Sequence, residues 1–509
     1  MMGGYLIGVD IGTTGTKSML FSPDGEALCH AYASYPLYTP ENSVCEQDAR
    51  DWWRATVETV RKVVSDAGCA DDVAGISLSL QGGTLVPVDE KFEPLRPAIV
   101  WSDSRCSSQA ARFRERFGDR YMYEKSGWNL SGGLNAMQIA WIRENEPDVF
   151  KRTRMFLSVP DYISARLTGR AVVDISDVGI NQLADIRTGR YDKNILDFAG
   201  IEESQLAEIA PSCQPIGELT REAMSELGLR GKVVLSAGAH DQYAALLGAG
   251  VTGAGDVLIG TGTAWVVTAL TERPDFNTGF AQSVSATKGR WGSLVSLSTG
   301  GVCLDWMLSN VAGGEGSEKI SYAALNEKLN NERLQGRDGG LMFFPYFSGA
   351  SYPVKDANSK ASFIGLDLSH DRYDMALAIM RGVASHTAWT LEGFQGEYGR
   401  GKVKMSGGAT KSPVWTQIVA DTVNRPVSIP ATPDLTCVGA AIMAGVGAGI
   451  FASTGEGYEA VAVSERTIEP DAKKASMYSE ALEVYKARAK ALKDVYNCQA
   501  MLRGDAART

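Results

Sequence analysis

The sequence is short of the groups that several common chemistries need. It holds four histidines in 509 residues, at scattered positions, and they make no zinc pattern. The eight cysteines (Cys29, Cys45, Cys69, Cys106, Cys213, Cys303, Cys437 and Cys498) include no Cys-x-x-Cys, and reduced thiols in a cytoplasmic protein are the simplest account. Lysine and arginine number 50 against 60 aspartate and glutamate, for a net charge of −10. That balance argues against general nucleic-acid binding. No apolar run reaches membrane-spanning length. The chain does not open on a basic segment followed by a long apolar core, so neither a membrane anchor nor a signal peptide is expected. What is present, 44% apolar and 22% charged residues, is the composition of a soluble globular protein. The length exceeds one ordinary core, and two large domains are expected.

The chain is organised around residues 6–21. A short apolar run reads as a buried strand that carries Asp10 at its tip. Gly12, Thr13, Thr14 and Gly15 follow, and their glycines tolerate positive φ and a tight turn. Residues 17–21 resume an apolar strand, closed by Ser22-Pro23-Asp24-Gly25. A P-loop would need glycine directly before Lys17-Ser18 and a helix directly after, and Thr16 and the Pro-Asp-Gly turn deny both. A dinucleotide fingerprint fails on the spacing of Gly8, Gly12 and Gly15. The turn can cradle phosphate oxygens with N–H and hydroxyl donors. An ordinary hairpin would use the same residues, so both readings stand here.

Further along, Cys45-Glu46-Gln47-Asp48 leads into a helix with Trp53, Val57, Val60 and Val64 on one face and Gly68 at its end. Residues 73–80 read as a strand ending at Gln81-Gly82-Gly83. Residues 96–101 lead to Trp101-Ser102-Asp103-Ser104-Arg105. Polar groups thus gather at strand ends, where open α/β sheets place ligands. Residues 233–237 form a strand before His240-Asp241-Gln242 and a small-residue helix. The glycine-rich stretch 248–255 suggests a division into domains 1–248 and 249–509.

The second half opens as the first does, with a strand, Gly260-Thr261-Gly262-Thr263 and another strand. This suggests internal duplication and a pair of phosphate turns. A third cluster, Ser406-Gly407-Gly408-Ala409, precedes Ser412 as helix N-cap and Pro413 at the first helical position. Its small residues would let an adenine or ribose approach the backbone, and a plain strand-to-helix turn is served equally. Gly439-Ala440-Ala441 and Ala444-Gly445 read as a tightly packed helix. Tyr478, Leu482, Tyr485, Ala489 and Leu492 read as an amphipathic C-terminal helix, and Arg503-Gly504-Asp505 in the tail reads as chance. The histidines receive no catalytic role; His240 is a positioning group.

In this order the motifs resemble those of the FGGY carbohydrate kinases over nearly the whole length. The resemblance implies an α/β fold with two ribonuclease-H-like, actin-type ATPase domains flanking a central cleft. It also implies ATP and Mg²⁺ as cofactors, a small-molecule sugar as partner, and possible homodimers. Carried across residue by residue, Asp10 organises Mg²⁺ through water, and Gly12, Thr13, Thr14 and Lys17 form the first phosphate turn. Gly260, Thr261, Gly262 and Thr263 form the second; Gly407, Gly408, Ala409 and Ser412 match the adenosine motif. Asp241 matches the general base, which is compatible with a helix N-cap because a helix N-terminus favours the ionised carboxylate. Gln81, Gly82, Trp101, Asp103, Asp241 and Gln242 match the acceptor side. The motifs look most like those of members acting on D-xylulose. Several positions depart from the pattern: Gln81 for His, Gln138 for Lys, Arg381 for an acidic residue, Gly349-Ala350-Ser351 for Gly-Glu-Arg, and Ala409 for Gly. Another ketopentose, a polyol or glycerol therefore stays open as the acceptor, as does a non-catalytic actin-like nucleotide-binding protein. Domain closure over both substrates, which would exclude water, is a further expectation.

Overall fold

The computed structural model describes residues 4–41, 43–311, 320–330, 340–394, 401–432, 434–461 and 463–502. The Arg503-Gly504-Asp505 tripeptide lies outside them. The chain divides into two compact units: Met1–Thr252 with Leu270–Ser293 and Asp434–Val463, and Gly253–Ala269 with Leu294–Pro433 and Ser464–Thr509. Against the expected division at 248/249, two segments of the second half pack with the first unit. Glycine explains one of them. A Cβ on Gly8 would lie 1.9 Å from the Cys437 carbonyl oxygen, and one on Gly439 would lie 2.0 Å from that of Ala244. Bare backbones thus let the helix Leu435–Gly447 settle on the first unit's sheet and on the helix Asp241–Gly248.

The first unit is built on six strands: β1 (Tyr5–Ile11), β2 (Gly15–Phe21), β3 (Ala27–Ser34), β4 (Val73–Leu80), β5 (Pro215–Glu218) and β6 (Val234–His240). Their order in the sheet is β5-β6-β4-β1-β2-β3. β1 pairs antiparallel with β2 and parallel with β4, and β6 is parallel to β4. Parallel pairing puts the C-terminal ends of β1, β4 and β6 together, which brings Asp10, Gln81 and Asp241 to one edge of the sheet. The helix Ala49–Ala67 starts as its sequence implies, with Asp48 accepting from the Arg50 N–H and Gly68 closing it at φ 65°. It buries Trp52, Trp53, Val60, Val63 and Val64 in the core. Fully burying side chains of this size contributes about 1.5–3 kcal/mol each.

In the second unit β7 (Val257–Thr261) pairs antiparallel with β8 (Trp265–Thr271) and parallel with β9 (Val403–Gly407). β10 (Val427–Pro430) lies parallel to β9, and β11 (Glu465–Ile468) lies antiparallel to β10. Hairpin, parallel strand, parallel strand, antiparallel edge: the same sequence of pairings occurs in β1/β2, β4, β6 and β5. Duplication is thus visible in the hydrogen-bond pattern as well as in the glycine turns. Among the described residues no helix is long and apolar enough to cross a membrane.

Candidate active site

The turn between β1 and β2 is closed by Gly12 N–H donating to the Gly15 carbonyl at 3.0 Å. It does not use positive φ: neither Gly12 nor Gly15 is left-handed, because the hairpin closes with ordinary backbone angles. Its carbonyls are tied from behind. Tyr35 Oη donates to Gly12 O at 2.5 Å, Gln47 Nε2 to Thr13 O at 2.5 Å and Tyr32 Oη to Thr14 O at 3.2 Å. Occupied carbonyls leave amide donors as the turn's outward polar groups, the polarity an anion needs. Gln81 belongs to this network. Its Oε1 accepts from Thr13 Oγ1 at 3.1 Å, and its Nε2 donates to Gly12 O and Gln47 Oε1. Gln81 thus braces the turn between β1 and β2.

Asp10 sits at the end of β1, where Ser79 Oγ donates to its Oδ1 at 2.8 Å. Burial, and then the charge of Asp241, lift its carboxyl from 3.8 to about 6, against hydrogen bonds from Ser79 and Thr436 and the charge of Lys17. Lys17 is drawn aside into an ion pair with Asp434 at 2.8 Å. Burial alone would lower its pKa; Asp434 and Asp10 outweigh that and raise it.

β6 delivers Asp241. The residue capping the following helix is His240, whose Nδ1 accepts from the Gln242 N–H at 3.3 Å. Asp241 is therefore relieved of the N-cap role the sequence allowed it. Its Oδ1 lies 3.1 Å from His240 Nδ1. That nitrogen accepts the Gln242 N–H, and Asp241 Oδ1 is buried without a hydrogen-bond donor. A carboxylate at a helix start with an unused lone pair is suited to take a proton from a hydroxyl.

The remaining acceptor-side residues divide. Trp101 is 48% exposed, with Nε1 3.4 Å from Thr13 Oγ1. Gly82 lies against Asp177 and His240, and a Cβ there would come within 2.8 Å of each. Gln242 opens the same helix as Asp241. Asp103 does otherwise: its carboxylate accepts from the Cys45 N–H, the Arg105 N–H and the Arg105 guanidinium, and its side chain is 1% exposed. Four donors fill its lone pairs, so Asp103 positions the Trp101 loop and has no lone pair left for an acceptor hydroxyl. Gln138, in place of the family's Lys, donates to the carbonyls of Gly83 and Gly133.

In the second unit the turn after β7 repeats the design. Gly262 O accepts from Gly301 N–H at 3.1 Å and Thr263 O from Val302 N–H at 3.2 Å. Thr261 Oγ1 donates to Ser406 O at 2.6 Å and accepts from Ala409 N–H at 3.2 Å, joining this turn to the glycine loop after β9. Gly407 is left-handed at φ 97°. Ser412 caps the helix Pro413–Val423, accepting from Trp415 N–H at 3.1 Å. Trp415 in turn packs on Trp265, centroids 5.2 Å apart. Four turn glycines differ from the packing ones. A Cβ on Gly12, Gly260, Gly262 or Gly408 would meet its nearest protein atom at 3.5 or 3.6 Å, an ordinary contact. The chain itself does not require glycine there, and the room is available to a ligand.

The donor set around Asp10 fits Mg²⁺. Two carboxylates, one with an unpartnered oxygen, and the hydroxyls of Ser79 and Thr436 are hard oxygen donors. Mg²⁺ takes one or two carboxylates and completes its shell with water and phosphate. Among the described residues there is no cluster of three acidic, histidine or cysteine ligands. Sequence reasoning missed Gln47, Ser79, Asp434 and Thr436. The first two adjoin recognised motifs, but nothing local marks the last two, which are more than 400 residues from Asp10.

Fold and site define a two-domain α/β phosphotransferase of the actin-like ATPase type. The model of the FGGY family of carbohydrate kinases, N-terminal domain, matches residues 5–248, and that of the C-terminal domain matches residues 257–448. The chain belongs to the FGGY family of carbohydrate kinases. It is 29% identical to the xylulose kinase of Bacillus subtilis (strain 168) over 95% of this chain and 96% of the relative. It is 25% identical to the gluconokinase of the same organism over 87% of each. The crystal structure of xylulose kinase from Rhodospirillum rubrum superposes with a TM-score of 0.86 at 28% identity, covering 97% of this chain and 99% of that one.

Proposed function

We propose that the chain transfers the γ-phosphoryl group of ATP to a hydroxyl of a ketopentose, D-xylulose giving xylulose 5-phosphate, in the cytoplasm. The observation that carries the reading is Asp241: a carboxylate at a helix start, with a free oxygen, near Asp10. Phosphoryl transfer depends on positioning and charge neutralisation, with a carboxylate accepting the hydroxyl proton. Asp241 takes that proton. Asp10 would hold Mg²⁺, which when bound would supply charge neutralisation to the phosphates. The amides of Thr13 and Thr14 and the turn at Gly260, Thr261, Gly262 and Thr263 bind phosphate oxygens. Gly407, Gly408 and Ala409 accept the adenosine, with Ser412 fixing the helix behind them. Gln81 and Asp103 support the site, while Gly82, Trp101 and Gln242 border the acceptor. The xylulose kinases among the relatives support the sugar. A sugar acid is the second reading, favoured by the gluconokinase relative.

ATP consumption measured over D-xylulose, other pentuloses, D-gluconate and glycerol tests the reading. The expected result is turnover highest with D-xylulose; no turnover with any member would refute kinase activity on this class of acceptor. Asp241→Ala is expected to lose about 10²–10⁴-fold in turnover, the usual worth of a general base, while nucleotide binding by calorimetry persists. Near-wild-type turnover would remove Asp241 from the chemistry.

A further inference from the structure

The first unit holds a buried acid that the proposed chemistry leaves unused. The short helix Ile175–Val178 carries Asp177, 0% exposed, whose two carboxylate oxygens meet no donor. Asp174, 2% exposed, caps that helix through Oδ1, while its Oδ2 is also without a donor. Two carboxyls this close and this dry do not both ionise. A proton shared between them satisfies one oxygen of each. The other Asp177 oxygen still needs a donor. The Gly82 contacts place it beside that glycine and His240, at the strand ends where Asp241 emerges. His240 N–H donates to Ser176 Oγ at 2.9 Å, which fixes the short helix to β6. Against the His240 ring, centroids 5.9 Å apart, lies Trp128, whose Nε1 is buried without an acceptor.

An unfilled acceptor and an unfilled donor are together the complement of a hydroxyl, which both gives and takes a hydrogen bond. We infer that Asp177 binds a hydroxyl of the acceptor other than the one phosphorylated, with Trp128 donating to the same group, and so determines specificity for polyhydroxylated acceptors. The inference rests on the kinase reading of the first unit. A site built to hydrogen-bond a hydroxyl discriminates strongly against analogues that lack it, because the buried partner is then left unpaired.

The test uses the acceptor that the wild type turns over fastest among D-xylulose, D-gluconate and glycerol, together with its monodeoxy analogues. Asp177→Asn is expected to raise the acceptor KM at least about 10-fold, with the KM for ATP and the melting temperature little changed. One deoxy analogue should lose at least about 10-fold in wild type and little further in the variant. Asp174→Asn, which keeps a helix cap and relieves the same pair, should leave the acceptor KM within about threefold, since it touches no acceptor hydroxyl. An unchanged KM in Asp177→Asn, or equal effects of the two substitutions, overturns the inference while leaving the kinase reading intact. Absence of turnover by the wild type across the panel overturns the reading and this inference with it.

Discussion

Replacing Asp10 by Asn separates the cost of a functional carboxylate from its use. Burial and the charge of Asp241 hold the Asp10 carboxyl at about 6 instead of 3.8. Ionising it in the folded protein therefore costs up to about 3 kcal/mol at pH 7, at ~1.4 kcal/mol per pKa unit. Asp10 is part-exposed by surface area, so solvent screening reduces this to about 1–2 kcal/mol. Asn keeps the shape and the hydrogen bond from Ser79 but carries no charge. Between pH 4 and 6 the folded protein holds a proton on Asp10 that the unfolded chain has released. Wild-type stability thus falls as pH rises through that window and is flat above it. The ligand-free variant should therefore melt about 1–3 °C higher than wild type at pH 7–8, with the difference vanishing near pH 4. Addition of Mg²⁺ and ATP should raise the melting temperature of wild type and not of the variant. Thermal unfolding followed by circular dichroism across pH 4–8, with and without Mg²⁺ and ATP, reads both effects. A variant less stable at every pH would refute the electrostatic account of Asp10. A variant still stabilised by Mg²⁺ and ATP would refute its role in holding them.

Two glycine substitutions should behave oppositely. Gly262→Val should fold, since a Cβ there meets only Ala264 O at 3.5 Å, yet lose most of its ATP affinity by calorimetry; unchanged affinity would remove that turn from the site. Gly8→Ala would drive a Cβ to 1.9 Å from a backbone oxygen and should cost about 1–3 kcal/mol as overpacking, visible as a lower melting temperature. Asp103→Ala removes one of the two carboxylate partners of Arg105, Glu46 remaining at 2.8 Å, and leaves the Cys45 N–H without its acceptor, and should cost about 1–3 kcal/mol. Its signature is a loss of melting temperature with a smaller change in acceptor KM, whereas a KM effect without loss of stability would restore Asp103 as a direct contact.

Much of the site was legible because its chemistry is local. The Gly-Thr turns between β1 and β2 and between β7 and β8, the helix after Asp48, the Ser412 cap and the strand 73–80 all lie where short-range pattern puts them. Sequence pattern does not show which of two neighbouring polar groups takes a given hydrogen bond. The sequence offers Asp241 as general base and allows it a helix cap as well; the cap goes to His240, which accepts the Gln242 N–H. The Trp-x-Asp-x-Arg pattern puts Asp103 on the acceptor side, whereas in the fold Arg105 and the Cys45 N–H take its lone pairs.

The order of residues by itself determined which groups stand at the strand ends, because alternation, glycine turns and caps act over a few residues. Tertiary structure decided what those groups do. Thr436 meets Asp10 only because Gly8 and Gly439 admit a helix from the far end of the chain. Asp177 lies beside Gly82 because parallel pairing of β4 and β6 sets His240 next to the end of β4, and the His240 N–H holds Ser176 of the short helix. Pairings across hundreds of residues depend on packing that no local pattern records.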